Sequence, residues 1–139
     1  MFVNTCLSAL NRKNTMTTLK KVSTITLILG YIAAGINHFR VPEFYIAIIP
    51  QYIPYPQFMN AAAGIFEIIF GLGLAFKVTR KYAAWGIVLM LAAFLPVHIS
   101  MITDAPFKID SKTVSPLLAW LRLALQPVLI WWAWWHTRD

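Results

Sequence analysis

The chain has 139 residues, of which 59% are hydrophobic and only 12% charged, with a net charge of +7. Soluble domains carry roughly a quarter charged residues, so this composition points away from a water-soluble globule and toward a protein solvated by lipid. The basic residues form no single stripe but sit in short clusters beside apolar runs, which argues against nucleic-acid binding and for membrane orientation.

Residues 1–21 are polar and unpatterned and are expected to form a disordered tail. The basic run before the first apolar segment begins more naturally at Met16, so residues 1–15 read as an upstream start or a tail. Cys6 is the single cysteine. It reads as an unpaired tail thiol, with no redox pair, disulfide or thiolate metal site to join.

A spanning helix needs about 20 mostly apolar residues, and four segments meet that requirement within a membrane domain over residues 22–136. The first covers residues 22–39. Its basic flank and the small residues Ala33, Ala34 and Gly35 also fit a cleaved signal peptide, but the apolar character continues past Gly35. The segment that follows, RVPEFYIAIIPQYIPYP, is too apolar for an extended loop in water. It is expected to lie at the membrane interface, with residues 42–49 as a short half-buried helix.

The second span covers residues 57–76, the third 82–102 and the fourth 116–135. The tryptophan run at 131–135 reads as an aromatic belt. Arg12, Lys13, Lys20, Lys21, Lys77, Arg80, Lys81 and Arg138 fall on one side of these spans, whereas only Arg40, Lys108 and Lys112 fall on the other. That bias and the even number of spans predict both termini in the cytoplasm. The expected fold is all-α: a polytopic four-helix membrane bundle with an interfacial segment between helices one and two.

Polar groups inside spans are costly and commonly mark function. Here they are Asn37 and His38 in helix one, Asn60 and Glu67 in helix two, His98 in helix three, and Arg122 and Gln126 in helix four. The topology predicts all of them in the outer half of the membrane or at its midplane. Asn60, Gly64, Glu67 and Gly71 share one face of helix two, as do Tyr31, Gly35 and His38 on helix one, and Ala119, Arg122 and Gln126 on helix four. Glycines on such a face admit close approach of a helix or ligand. Pro96 and Pro127 free the carbonyls of Ala92 and Leu123, which then need partners in the bundle.

Two readings follow. In one, Glu67 and Arg122 form a buried ion pair that only fixes helix register. In the other they line an outward-facing pocket, flanked by His38 and His98. A metal site at His38, His98 and Glu67 has no supporting spacing motif, and neither a nucleophile–base pair nor a phosphate loop is present.

Taken together, NHF with a following proline, the proline-rich loop, G-x-x-E in helix two, a proline and polar residue late in helix three, and R-L-x-x-Q in helix four resemble the DoxX-like family of small bacterial membrane proteins. The resemblance covers about residues 22–136. It implies a four-helix bundle in the bacterial inner membrane and a link to quinone-dependent redox chemistry, at most as a subunit of an oxidoreductase. The residues themselves make no cofactor evident, and the resemblance alone brings in a quinone.

On that basis the leading expectation is a binding or accessory subunit for a quinone-like or other small amphipathic molecule. In that picture Arg122 and Gln126 donate to a carbonyl oxygen, Glu67 accepts or relays a proton, and His38 and His98 lead to the outer water. The partners expected are the lipid bilayer and either a redox enzyme subunit or a second copy of the chain. The alternatives are a scaffold whose polar cluster is structural and, ranked lower, a small transporter.

Overall fold

The computed structural model describes residues 2–109 and 112–138, with side chains described for 18–109 and 113–138. Residues 2–21, expected as a disordered tail, are helical, and the reading of Cys6 concerns a side chain outside the described residues. The chain is mainly helical: α1 spans Phe2–Arg40, α2 Pro42–Ile48, α3 Pro56–Gly73, α4 Lys77–Ala93, α5 Leu95–Asp104 and α6 Pro116–Trp135. A 3-10 turn, His136–Arg138, follows α6. A small antiparallel hairpin pairs β1, Phe107–Ile109, with β2, Lys112–Val114.

Three stretches are long and apolar enough to cross a membrane: Thr18–Arg40, Lys77–Asp104 and Pro116–Arg138. The expected second span, α3, is only 18 residues long, and Gln57, Asn60 and Glu67 dilute its apolar character.

Proline sets most of the boundaries. Pro42 occupies the first turn of α2, where its missing N–H costs nothing, and Ile49 leaves the helix in an extended conformation. A short helix is thus present where one was expected, ending at Ile48, one residue earlier than expected. Pro116 likewise opens α6 behind Ser115, whose hydroxyl accepts from the Leu118 N–H.

The expected third helix is in two parts. Pro96 cannot donate within a helix, and the chain breaks at Phe94, where α4 ends and α5 begins. α4 also starts five residues earlier than expected. Between α3 and α4, Thr79 Oγ1 donates to the Gly73 carbonyl at 2.7 Å and Arg80 Nε to the Leu74 carbonyl at 2.9 Å. These bonds satisfy carbonyls that the end of α3 leaves without helical partners.

The helices pack in the order α1, α3, α4 and α6, with α5 against α6 and α2 resting on α3. α1 and α3 meet through glycines. A Cβ built on Gly35 would lie 2.6 Å from the Gly64 carbonyl oxygen, and one on Gly64 would lie 2.8 Å from the His38 Cβ. Gly71 packs onto Ile32 and Tyr31 one layer further along. The close approach expected of the helix-two glycines is therefore made, and helix one is what approaches.

Apolar side chains collect in two places. One core joins Leu27, Leu74, Ala83, Ala84, Ile87, Leu91 and Ala133 toward the end that carries the 3-10 turn. The other joins Ile48, Met101, Ile109, Val114 and Ala119 beneath α2 and the hairpin. Most of the candidate polar residues lie on helix segments that run between these two cores.

Candidate functional site

The seven polar residues singled out in the sequence separate into two groups. In the first, Asn60 hydrogen-bonds His38 twice. Its Nδ2 donates to the His38 carbonyl at 3.1 Å, and its Oδ1 meets His38 Nδ1 at 2.8 Å. Pro42 explains the first bond. It stands four residues after His38 and has no N–H, so the His38 carbonyl lacks its helical donor, and Asn60 supplies one from α3.

A carbonyl only accepts, so the bond to it sets the orientation of the Asn60 amide. Oδ1 then accepts from Nδ1–H, which places a proton on that ring nitrogen. The other nitrogen, Nε2, faces Glu67 Oε2 at 3.6 Å. That separation suits an ion pair but is too long for a hydrogen bond.

Glu67 is 7% exposed, and its Oε2 is fully buried without a hydrogen-bond partner among the described residues. A lone pair on Nε2 opposite a carboxylate oxygen is unfavourable. The contact is relieved when one proton occupies either group, or when a molecule carrying two O–H or N–H donors bridges them.

α2 closes this group from above. The Tyr45 ring stacks on His38 with centroids 3.8 Å apart, and its hydroxyl accepts from Asn37 Nδ2 at 2.8 Å.

The second group lies where α5 meets α6. His98 Nδ1 donates to the Phe94 carbonyl at 2.8 Å, and Gln126 Nε2 donates to the Leu91 carbonyl at 3.3 Å. The 3.3 Å approach of Gln126 Nε2 to His98 Nδ1 finds no acceptor, because Nδ1 already holds the proton that it gives to Phe94. We read it as packing, with His98 Nε2 left as an acceptor. The α6 donor at the helix break thus goes to Leu91, whereas the carbonyl expected to need a partner was that of Ala92.

The expected pairing of Glu67 with Arg122 is not made. The Arg122 guanidinium lies over the Phe44 ring at 5.5 Å, while Glu67 faces His38. The reason is the position of α2: Phe44 and Tyr45 are edge-to-face neighbours, Tyr45 covering His38 and Phe44 carrying Arg122. Contact between the groups therefore runs through aromatic rings.

A described cavity of about 210 Å³ lies elsewhere. It is lined by residues of α2 and its following turn, with Met101, Asp104 and Phe107, and by none of the seven. No cluster of three His, Cys, Asp or Glu side chains suited to a metal occurs among the described residues.

A third polar network was not anticipated. His136 is fully buried, with Nε2 2.9 Å from Ser23 Oγ and Nδ1 3.5 Å from Thr24 Oγ1. Trp132 Nε1 donates to Ser23 Oγ at 2.7 Å, and Thr24 Oγ1 donates to the Lys20 carbonyl at 2.8 Å. Donors thus run in one direction, from Trp132 through Ser23, His136 and Thr24 to Lys20, and tie the C-terminal turn to α1. In the sequence, these residues offer only small hydroxyls and a histidine beside the tryptophan run. Ser23→Ala removes the link between Trp132 and His136 and is expected to cost about 2 kcal/mol, read as a lower unfolding midpoint in detergent.

Together, fold and site define a helical protein with three stretches long and apolar enough to cross a membrane and a buried polar layer between its two apolar cores. The chain matches the family model described as "Domain of unknown function (DUF8561)" over residues 27–137, and it belongs to that family. No curated protein and no solved structure matches it.

Proposed function

We propose that this chain is a four-helix protein of the bacterial inner membrane that binds a small amphipathic, quinone-like molecule as a binding or accessory subunit. α1, α3, the α4–α5 pair and α6 are the four spans, α2 lies at the outer interface, and both termini face the cytoplasm. The excess of Lys and Arg at the tail, at the α3–α4 turn and at the C-terminus supports that orientation. The resemblance to DoxX-like proteins supports the quinone-like ligand and the association with a redox enzyme.

The observation that carries the reading is the buried Glu67 Oε2, which faces His38 Nε2 at 3.6 Å and has no hydrogen-bond partner among the described residues. An unmet polar atom inside a span is expensive, and its retention fits a site completed by a bound molecule. In this arrangement Glu67 and His38 exchange one proton with the ligand's oxygen, Asn60 and Tyr45 hold the imidazole, and Gln126 and His98 supply polar contacts from the α5–α6 side.

The test is purification in mild detergent followed by native mass spectrometry of bound small molecules and subunits. The wild type is expected to carry a small molecule that Glu67→Gln loses. Glu67→Gln itself should fold, because its amide N–H can donate to His38 Nε2. The same ligand on both proteins would remove Glu67 from the site.

A second reading has its own support, since His38 and Asn60 satisfy one another and the described cavity avoids the seven residues. In that reading the chain is a scaffold and the polar layer fixes helix register. An empty protein that co-purifies with a stoichiometric partner would favour it.

A further inference from the structure

Arg122 makes no hydrogen bond to the protein and has no carboxylate within ion-pair distance among the described residues. Its guanidinium always carries charge and offers five N–H donors, and α6 is apolar enough to cross a membrane. Such a group needs an anion.

Its helix positions indicate where that anion lies. Arg122 is the seventh residue of α6, roughly 9 Å from the start of the helix. Helical side chains lean toward the N-terminus of their helix, so the guanidinium leans toward the end of α6 that carries the hairpin. Ala119 and Gln126, three residues before it and four after, are buried, whereas Leu118 and Leu125, four before and three after, are 42% and 52% exposed. Arg122 therefore stands on the border between the packed face of α6 and an apolar open face. The Phe44 ring lies against the guanidinium, and Arg122 is half-buried. The acids Glu43 and Asp104 are exposed and form no ion pair among the described residues.

We infer that Arg122 binds the phosphate of a phospholipid whose acyl chains lie along Leu118 and Leu125. The apolar face favours a lipid over a free anion, since a dissolved phosphate gains nothing from the two leucines. The planar cation suits phosphate oxygens through paired N–H donors, with Phe44 holding its orientation.

The experiment uses the full chain in dodecyl maltoside micelles doped with phosphatidylglycerol or with monogalactosyldiacylglycerol, which is uncharged and lacks phosphate. Native mass spectrometry counts the retained lipids. Wild type should retain phosphatidylglycerol preferentially. Arg122→Gln should retain it about tenfold less, the loss expected for one charge-assisted hydrogen bond, with galactolipid retention unchanged. Arg122→Lys keeps the charge without the planar fork and should fall between the two, which preserves the test if the glutamine variant does not fold. Equal retention of both lipids by wild type, or unchanged phosphatidylglycerol on Arg122→Gln, would overturn the assignment. Displacement of the lipid by millimolar inorganic phosphate would also overturn it and assign the site to a free anion.

Discussion

Gly35→Ala is expected to cost about 3 kcal/mol or more, at the upper end for overpacking, although it adds a single methyl group. The new Cβ would stand 2.6 Å from the Gly64 carbonyl oxygen and equally close to the Ile68 side chain. The isoleucine can rotate, but a backbone carbonyl inside a helix cannot. α1 would have to move off α3, and His38, whose Cβ packs on Gly64, would move with it. Gly30→Ala is the control: nothing lies within 4 Å of its added Cβ. It should be neutral or stabilise by up to about 1 kcal/mol, because alanine restricts the unfolded chain more than glycine does. Unfolding of both variants in detergent, followed by tryptophan fluorescence, compares them directly. Wild-type stability for Gly35→Ala would mean that the two helices approach less closely than described.

Asn60→Leu has the next largest expected effect, also about 3 kcal/mol. The leucine removes the acceptor of His38 Nδ1–H and the donor to the His38 carbonyl, leaving two buried groups unmet at about 1–3 kcal/mol each. Neither can turn to an alternative within the chain, because Pro42 has already removed the helical donor and Tyr45 covers the ring. The loss should be strongly non-additive with a change at His38. His38→Leu made in the Asn60→Leu background should cost much less than in the wild type, since residues in one hydrogen-bond network do not contribute independently. Full additivity in the double-mutant cycle would show that the Asn60–His38 contact contributes little to the fold.

Much of this arrangement is legible in the residues. The Gly35, Gly64 and Gly71 faces follow from helical spacing alone, and so does their use as a close contact, because a position without Cβ has few other purposes in an apolar helix. The start of the fourth span at Pro116 and the short helix opened by Pro42 follow from the proline's missing donor, whereas the break near Pro96 divides a helix expected to be continuous. By the same rule, Pro42 also identifies the His38 carbonyl as a group in need of a partner. That consequence points to Asn60 once helices one and two are neighbours.

The Glu67 partner shows where such reasoning stops. Opposite charges at similar expected depth suggested Glu67 with Arg122, but depth along a helix says nothing about which faces meet. α2 decides the matter by placing Phe44 beneath Arg122 and Tyr45 over His38, and seven residues of ambiguous apolar sequence do not reveal where they will dock. The hairpin and the His136 network depended on contacts across the fold in the same way. By itself the sequence determined the helical class, the lipid-like apolar load and the polar side chains that need partners, because these follow from local spacing and the cost of unmet backbone and charge. Only the tertiary structure decided which partners they meet, because pairing depends on helix rotation and on the docking of α2, and both are settled by packing between distant segments.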